Sequence, residues 1–325
     1  MLSATHHHFG DPAEVLAAED RPLPEPGPGQ VRLRMILSPI HNHDLWTVRG
    51  SYGYKPELPA IGGSEGVGTV DALGEGVSGV AIGQRVAAAG VHGAWAEYFL
   101  APAQSLVPLP EAIGDEEAAQ LVAMPFSALT LIEFLGVGPG DWIIQNAANG
   151  AVGKAVAMLA KARGIHAINL VRRDAAVDEL GALGIDNAVS TEAAGWQDRV
   201  RAMPGEASIR AGVDSVGGKA AGQILSLLGD DSLLVSFGTM SGGAMEIGSG
   251  DLIFKQATVK GFWGAKVSAA MSPADKARLM AELIRLVISA ELVLPVGGIY
   301  GLDQIKQAVA ASLTACKAGK ILLRP

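Results

Sequence analysis

The chain has 325 residues, 49% apolar and 18% charged, with 25 basic against 33 acidic side chains and a net charge of −8. The apolar share excludes a disordered chain, the acidic balance argues against a nucleic-acid partner, and no uncharged run approaches the roughly 18–20 residues that span a bilayer. One cysteine, Cys316, excludes an intrachain disulfide and any zinc site built on paired cysteines.

The length predicts two domains. The opening stretch, MLSATHHHFGDPAEVL, has neither the basic nor the apolar region of a signal peptide, so a cytoplasmic protein is expected, and His6 to His8 read as surface. Short strands broken by turn residues follow: Val31–Leu37, Gly66–Leu73, Gln84–Ala89 and Trp95–Leu100, a small all-β unit. Trp46 and Trp95 read as core. From Asp115 the pattern changes, with one helical run, EEAAQLVAMPFSALTLIEFL, ahead of Gly138-Pro-Gly140. Short apolar strands then alternate with helices. The strands are Trp142–Asn146, Ala167–Val171, Ala188–Ser190, Ala211–Ser215 and Leu233–Phe237, and the helices Val152–Arg163, Ala175–Leu183 and Lys219–Leu228. Such alternation implies a doubly wound parallel sheet. Helices at Ala274–Ala290 and Leu302–Leu313 and a closing strand, ILLRP, complete the chain. The expected fold is α/β, with a barrel-type domain over 1–115 and 263–325 around a doubly wound domain over 116–262.

The strongest chemical signal is Asp141–Gly153, DWIIQNAANGAVG, in which a strand enters a small-residue turn that opens a helix. Ala147-x-x-Gly150-x-x-Gly153 is a variant of the dinucleotide fingerprint. Small residues let the backbone approach a pyrophosphate, and the helix N-terminus offers it free N–H groups and partial positive charge. About 20 residues further on, Arg172-Arg173-Asp174 stands where NAD enzymes carry an acid for the ribose 2′-hydroxyl. Two arginines suit the 2′-phosphate of NADPH instead.

The segment IIQNAANGAVGKAVAMLAKARGIHAINLVRR resembles the medium-chain dehydrogenase/reductase superfamily. It is similar to the zinc-independent branch of trans-2-enoyl-thioester reductases and, more distantly, to quinone oxidoreductases. Matching segments at GSYGYKPELPAIGGSEG, VGGK, LIFKQATVKGFW and the terminal Gly319-Lys-Ile-Leu spread the resemblance over nearly the whole chain. It implies a GroES-like catalytic domain, a Rossmann domain, an active site in the cleft between them, NADPH as hydride donor and a homodimer. Carried over residue by residue, cofactor contacts fall on Met124, Asn149, Gly150, Ala151, Val152 and Gly153, on Arg172, Arg173 and Asp174, on Phe237, Gly238, Thr239 and Met240, on Phe262, Trp263 and Gly264, and on Lys320. The reductases carry a polar residue where this chain has Met124, which cannot make the same hydrogen bonds.

The resemblance places the proton donor at Tyr52. Hydride arriving at the β-carbon of an enoyl thioester leaves enolate charge, which a phenol can hydrogen-bond or quench at the α-carbon. Zinc relatives take ligands at the positions of His41, Ser64 and Met124, of which only His41 ligates well, with Glu65 a possible helper; no metal is expected. The IHNHD segment departs from the reductases. His41 is expected to face the cleft as a proton handler or a space-filler, with His43 and His92 less involved. The implied activity is NADPH-dependent reduction of activated C=C bonds on a small substrate, with quinone or enone reduction and non-catalytic NADPH binding as the alternatives.

Overall fold

The computed structural model describes residues 1–314 and 318–325, so Cys316 lies outside the described residues. The chain divides into two compact units, Met1–Ala123 with Leu294–Pro325, and Met124–Val293.

In the first unit, Gln30–Pro39 buries Val31, Leu33, Met35 and Leu37 while Arg32 and Arg34 point the other way, the period-two pattern of a sheet wet on one face. This strand pairs antiparallel with Glu65–Leu73 and with Tyr98–Pro102. Arg85–Ala89 and Leu106–Pro108 extend the sheet on one side. On the other, Lys320–Arg324 joins Pro39 and Ser38 and runs parallel to Val296–Gly301. The closing strand thus rejoins the first sheet, as its apolar sequence suggests. Trp95 anchors the core, fully buried and donating its Nε1–H to the Pro39 carbonyl at 3.1 Å. Its ring lies on Gly62 and Gly63, where a Cβ would come within 2.3 and 2.4 Å of it, so neither position tolerates a side chain. A separate sheet, Ala17–Asp20, Leu2–His6 and Ala60–Ile61, was not legible in the sequence. It corrects the surface assignment of the first histidine: His6 is buried and its Nδ1 lies 3.2 Å from the His8 carbonyl, whereas His7 and His8 are exposed.

The second unit is built on six parallel strands. Their spatial order is Ala188–Ser190, His166–Val171, Trp142–Gln145, Ile209–Asp214, Leu233–Ser236 and Thr258–Gly261. The order reverses between the third and fourth of these, which is the switch point where doubly wound sheets bind ligands. Ile144, Ile168, Leu170, Ile224 and Leu234 form its core, and Gly212 admits Ile224, whose Cγ2 a Cβ would meet at 2.6 Å.

Two boundaries differ from the sequence reading. Pro273–Ile288 packs in the second unit, not with the barrel, burying Leu279, Leu283 and Leu286 at helical spacing. Arg163 holds it there with a bidentate contact to Glu282 at 2.9 and 2.8 Å and a third bond to Glu133 at 2.6 Å. The helical run from Glu116 is split into Asp115–Ala118 and Ala123–Leu135. At the break, the backbone N–H groups of Val122 and Ala123 donate to one carboxylate oxygen of Glu65, both at 2.7 Å. A distant acid therefore caps the new helix start, which no local pattern announces.

Candidate active site

Most of the residues expected to bind the nucleotide lie at the carboxyl ends of the parallel strands. Ala151–Ala162 opens directly after Trp142–Gln145, with Gly150 as its N-cap. Ala147 turns the chain at φ 50°, a left-handed conformation that costs an alanine about 1 kcal/mol, and its carbonyl accepts the Gly150 N–H at 2.9 Å. A Cβ on Gly153 would lie 2.6 to 2.8 Å from backbone atoms of Ala147 and Ala148, so only glycine lets the helix start this close to the strand. The buried Gln145 amide donates to the Gly153 carbonyl at 2.8 Å and to Asn169 Oδ1 at 2.7 Å, locking turn, helix and neighbouring strand together.

Arg172, Arg173 and Asp174 follow the adjacent strand; Arg172 and Asp174 are exposed, and Arg173 lies 3.6 Å from Glu179. Phe237 to Met240 follow Leu233–Ser236, and Phe262, Trp263 and Gly264 follow Thr258–Gly261. All of these leave the carboxyl ends of strands in the same sheet. Phe262 is buried between the rings of Phe134 and Phe237, at 5.2 and 5.8 Å, while Trp263 and Met240 are exposed. Met124 is half-buried in the first turn of Ala123–Leu135. Lys320 belongs to the first unit, where it is buried with its Nζ 3.4 Å from the Ile40 carbonyl.

The sequence reading missed Asn146 and Asp214. The Asn146 side chain donates to Asp214 Oδ1 and accepts the Ser215 N–H, while Asp214 also accepts N–H groups from Val216 and Gly217. This pair ties together the ends of the two central strands and shapes the loop beside the glycine turn. Its signal was the polar residue ending each of two otherwise apolar strands.

In the first unit, Asn42–Val48 starts at His41, whose N–H donates to Asp44 Oδ2 at 3.0 Å. The expectation that His41 faces the cleft is corrected: it is fully buried, and its Nε2 sits 2.7 Å from Glu65 Oε2. Burial dominates both partners. It drives the His41 imidazole well below its ordinary range, helped by the nearby Lys320 charge, and it pushes the Glu65 carboxyl up to about 7 against the opposing pull of the two backbone N–H bonds. His43 is the histidine that meets Tyr52. Its ring lies 5.0 Å from that of His41, nearly parallel, and 5.6 Å from that of Tyr52, and its Nε2 is 2.7 Å from Ser64 Oγ. Nearby, Tyr54 and His92 stack at 4.0 Å.

Zinc does not fit these residues. His41 Nε2 is engaged by Glu65 and the Ser64 hydroxyl by His43, and among the described residues no three His, Cys, Asp or Glu side chains are grouped to hold a metal ion. NADPH does fit: the Gly153 contact that only a hydrogen fills, the helix N-terminus beside it and the exposed Arg172 on the next strand match a pyrophosphate and a 2′-phosphate.

A Rossmann sheet carried with a GroES-type β unit defines a two-domain dehydrogenase or reductase. The comparisons agree. Residues 27–111 match the alcohol dehydrogenase GroES-like domain, and residues 151–283 match the zinc-binding dehydrogenase family. The mitochondrial enoyl-[acyl-carrier-protein] reductase of Homo sapiens is 32% identical over 329 residues, covering 99% of this chain and 88% of that one. Its Arabidopsis thaliana counterpart is 33% identical over 265 residues, covering 79% of this chain and 70% of that one. Among solved structures, a putative NADPH:quinone reductase from Bacillus thuringiensis superposes with a TM-score of 0.91 at 29% identity, over 100% of this chain and 98% of that one. Mycobacterial Rv1454c complexed with NADPH gives 0.88 at 26%, with complete coverage of both chains. The chain belongs to the medium-chain dehydrogenase/reductase superfamily, in the company of its enoyl and quinone reductases.

Proposed function

We propose that this chain is an NADPH-dependent reductase of activated C=C bonds, with trans-2-enoyl thioesters as its substrates. The observation that carries the reading is the single sheet edge that brings the glycine turn next to Arg172; the names and identities of the mitochondrial reductases support the substrate class.

When bound, NADPH supplies a hydride to the β-carbon. The N–H groups at the start of Ala151–Ala162 bind the pyrophosphate, and Arg172 with Arg173 grips the 2′-phosphate. Asn149, Phe237 to Met240 and Phe262 to Gly264 line the rest of that edge, and Met124 and Lys320 complete the family's contact set. Tyr52 hydrogen-bonds the developing enolate oxygen or delivers its phenolic proton to the α-carbon. His41, fully buried, acts by holding His43 and not by touching the substrate.

Quinone reduction is the second reading, favoured by the Bacillus thuringiensis structure. NADPH oxidation followed with crotonyl-CoA, a quinone and a simple enone separates the cases. Turnover of crotonyl-CoA supports the proposal, and turnover of the quinone alone supports the second reading. Tight NADPH binding without turnover of any acceptor leaves a binding protein. In the active case, Tyr52→Phe lowers kcat by about 10²-fold or more.

The chain also forms a homodimer in this reading. Thr258–Gly261 is an edge strand with unpaired backbone groups, and Ile253 and the 84%-exposed Phe254 stand just before it.

A further inference from the structure

We infer that His43 is the positioning residue that sets the orientation of the Tyr52 phenol, an inference that rests on the reductase reading above. The juxtaposition is specific. The His43 ring packs against that of Tyr52 at 5.6 Å with a 31° tilt and against that of His41 at 5.0 Å. It cannot swing freely, because Nε2 is held 2.7 Å from Ser64 Oγ and lies 3.4 Å from Asp44 Oδ1. Asp44 is itself fixed by the His41 N–H, and His41 by Glu65, so the stack rests on a buried polar frame that reaches the Ala123 helix start. The outer end of the stack is open, with the His43 side chain 27% exposed and Tyr52 half-buried, while His41 at the inner end is fully buried.

This arrangement suits a phenol that must lose a proton and regain it each turnover. When the Tyr52 O–H bond breaks and its proton forms a C–H bond at the α-carbon, the phenol ring is kept in line with the substrate by the His43 ring packed on it, and solvent returns the proton to the oxygen. The charged and titratable groups facing His43 are Asp44 on its own helix, His41 at the helix cap, Glu65 beyond it, and Tyr52 from the following loop. Lys320 on the closing strand acts on His41 and Glu65, and His92 senses Asp44. Of these, His43 is the imidazole in ring contact with the phenol, so it is the one placed to hold that ring.

The test is His43→Phe, which keeps an aromatic ring against Tyr52 but removes both nitrogens, with Ser64→Ala as the milder second variant that keeps the imidazole and frees Nε2. With the acceptor the enzyme turns over, His43→Phe lowers kcat about 10-fold and leaves the KM for NADPH within twofold; Ser64→Ala gives a smaller loss in the same direction. Independently of turnover, the surroundings of the Tyr52 ring are read by ultraviolet difference, with Tyr52→Phe identifying its signal, and His43→Phe changes that signal. If kcat and the Tyr52 signal both match the unsubstituted protein, the inference is wrong. If no acceptor is turned over yet the Tyr52 signal moves, the reductase reading fails while the packing of His43 on Tyr52 stands.

Discussion

Glu65→Ala is the most informative single perturbation of the first unit. The side chain is fully buried, and three groups depend on it: the N–H groups of Val122 and Ala123 at 2.7 Å each, and His41 Nε2 at 2.7 Å. Lys320, a short distance off, also loses the carboxylate that balances it. Each of the three stranded polar groups costs about 1–3 kcal/mol; these overlap, so about 4 kcal/mol is the expected total. At about 2–4 °C per kcal/mol for a unit of this size, the first transition in a calorimetric scan falls by about 8–16 °C. Glu65→Gln keeps an acceptor for both N–H groups and loses about half as much. A drop below about 2 °C for the alanine variant would refute the assignment of Glu65 as the buried keystone.

The same pair fixes a pH signature. The Glu65 carboxyl is raised from about 4.5 to about 7 in the folded chain, so the stability it contributes is present at low pH and is lost as pH rises through 7. His41 is lowered, so its contribution runs the other way and grows as pH rises towards 6.5. Between about pH 4.5 and 6.5 the two oppose each other. In His41→Gln only the Glu65 slope remains, and stability falls between about pH 4.5 and 7 by up to about 1.4 kcal/mol per pH unit. Denaturant titrations at stepped pH measure it, and an unchanged slope would show that the two groups do not share their proton.

Three further outcomes are expected. Gly153→Val places side-chain carbon against the Ala147 and Ala148 backbone and raises the NADPH dissociation constant at least 10-fold by calorimetry; unaltered binding would place the nucleotide elsewhere. Arg172→Ala removes a charge-assisted contact of about 1.5–3 kcal/mol and raises the KM for NADPH about 10–100-fold, while the KM for NADH stays put. Phe254→Glu puts charge on the exposed apolar end of the edge-strand region and shifts light scattering from dimer to monomer; a dimer unmoved by it would use another face.

The parallel sheet was legible because its strands are short apolar runs whose ends the sequence marks with glycine or a charge, and Ala188–Ser190 was read without error. The cofactor edge followed from the same pattern. What escaped notice depends on contacts distant in sequence. The strand Leu2–His6 owes its place to partners at Ala17–Asp20 and Ala60–Ile61, and the break before Ala123 to an acid more than 50 residues earlier. Tyr52 stood out by resemblance, but the ranking of the histidines did not survive, because burial depth is invisible in His41-Asn42-His43. Two residues of offset at the start of a helix send the first imidazole into the core and leave the second against the tyrosine.

The second unit is spliced into the first between Ala123 and Leu294, and the sheet of the first is finished by Lys320–Arg324. During synthesis the inserted Rossmann unit is therefore complete and able to fold while its host still lacks two strands. The host must wait, with Ser38 and Pro39 at the edge of its sheet uncovered, until Lys320–Arg324 has been made. Without Lys320–Arg324 the Rossmann unit would be whole and the host sheet short of the strand that covers Ser38 and Pro39.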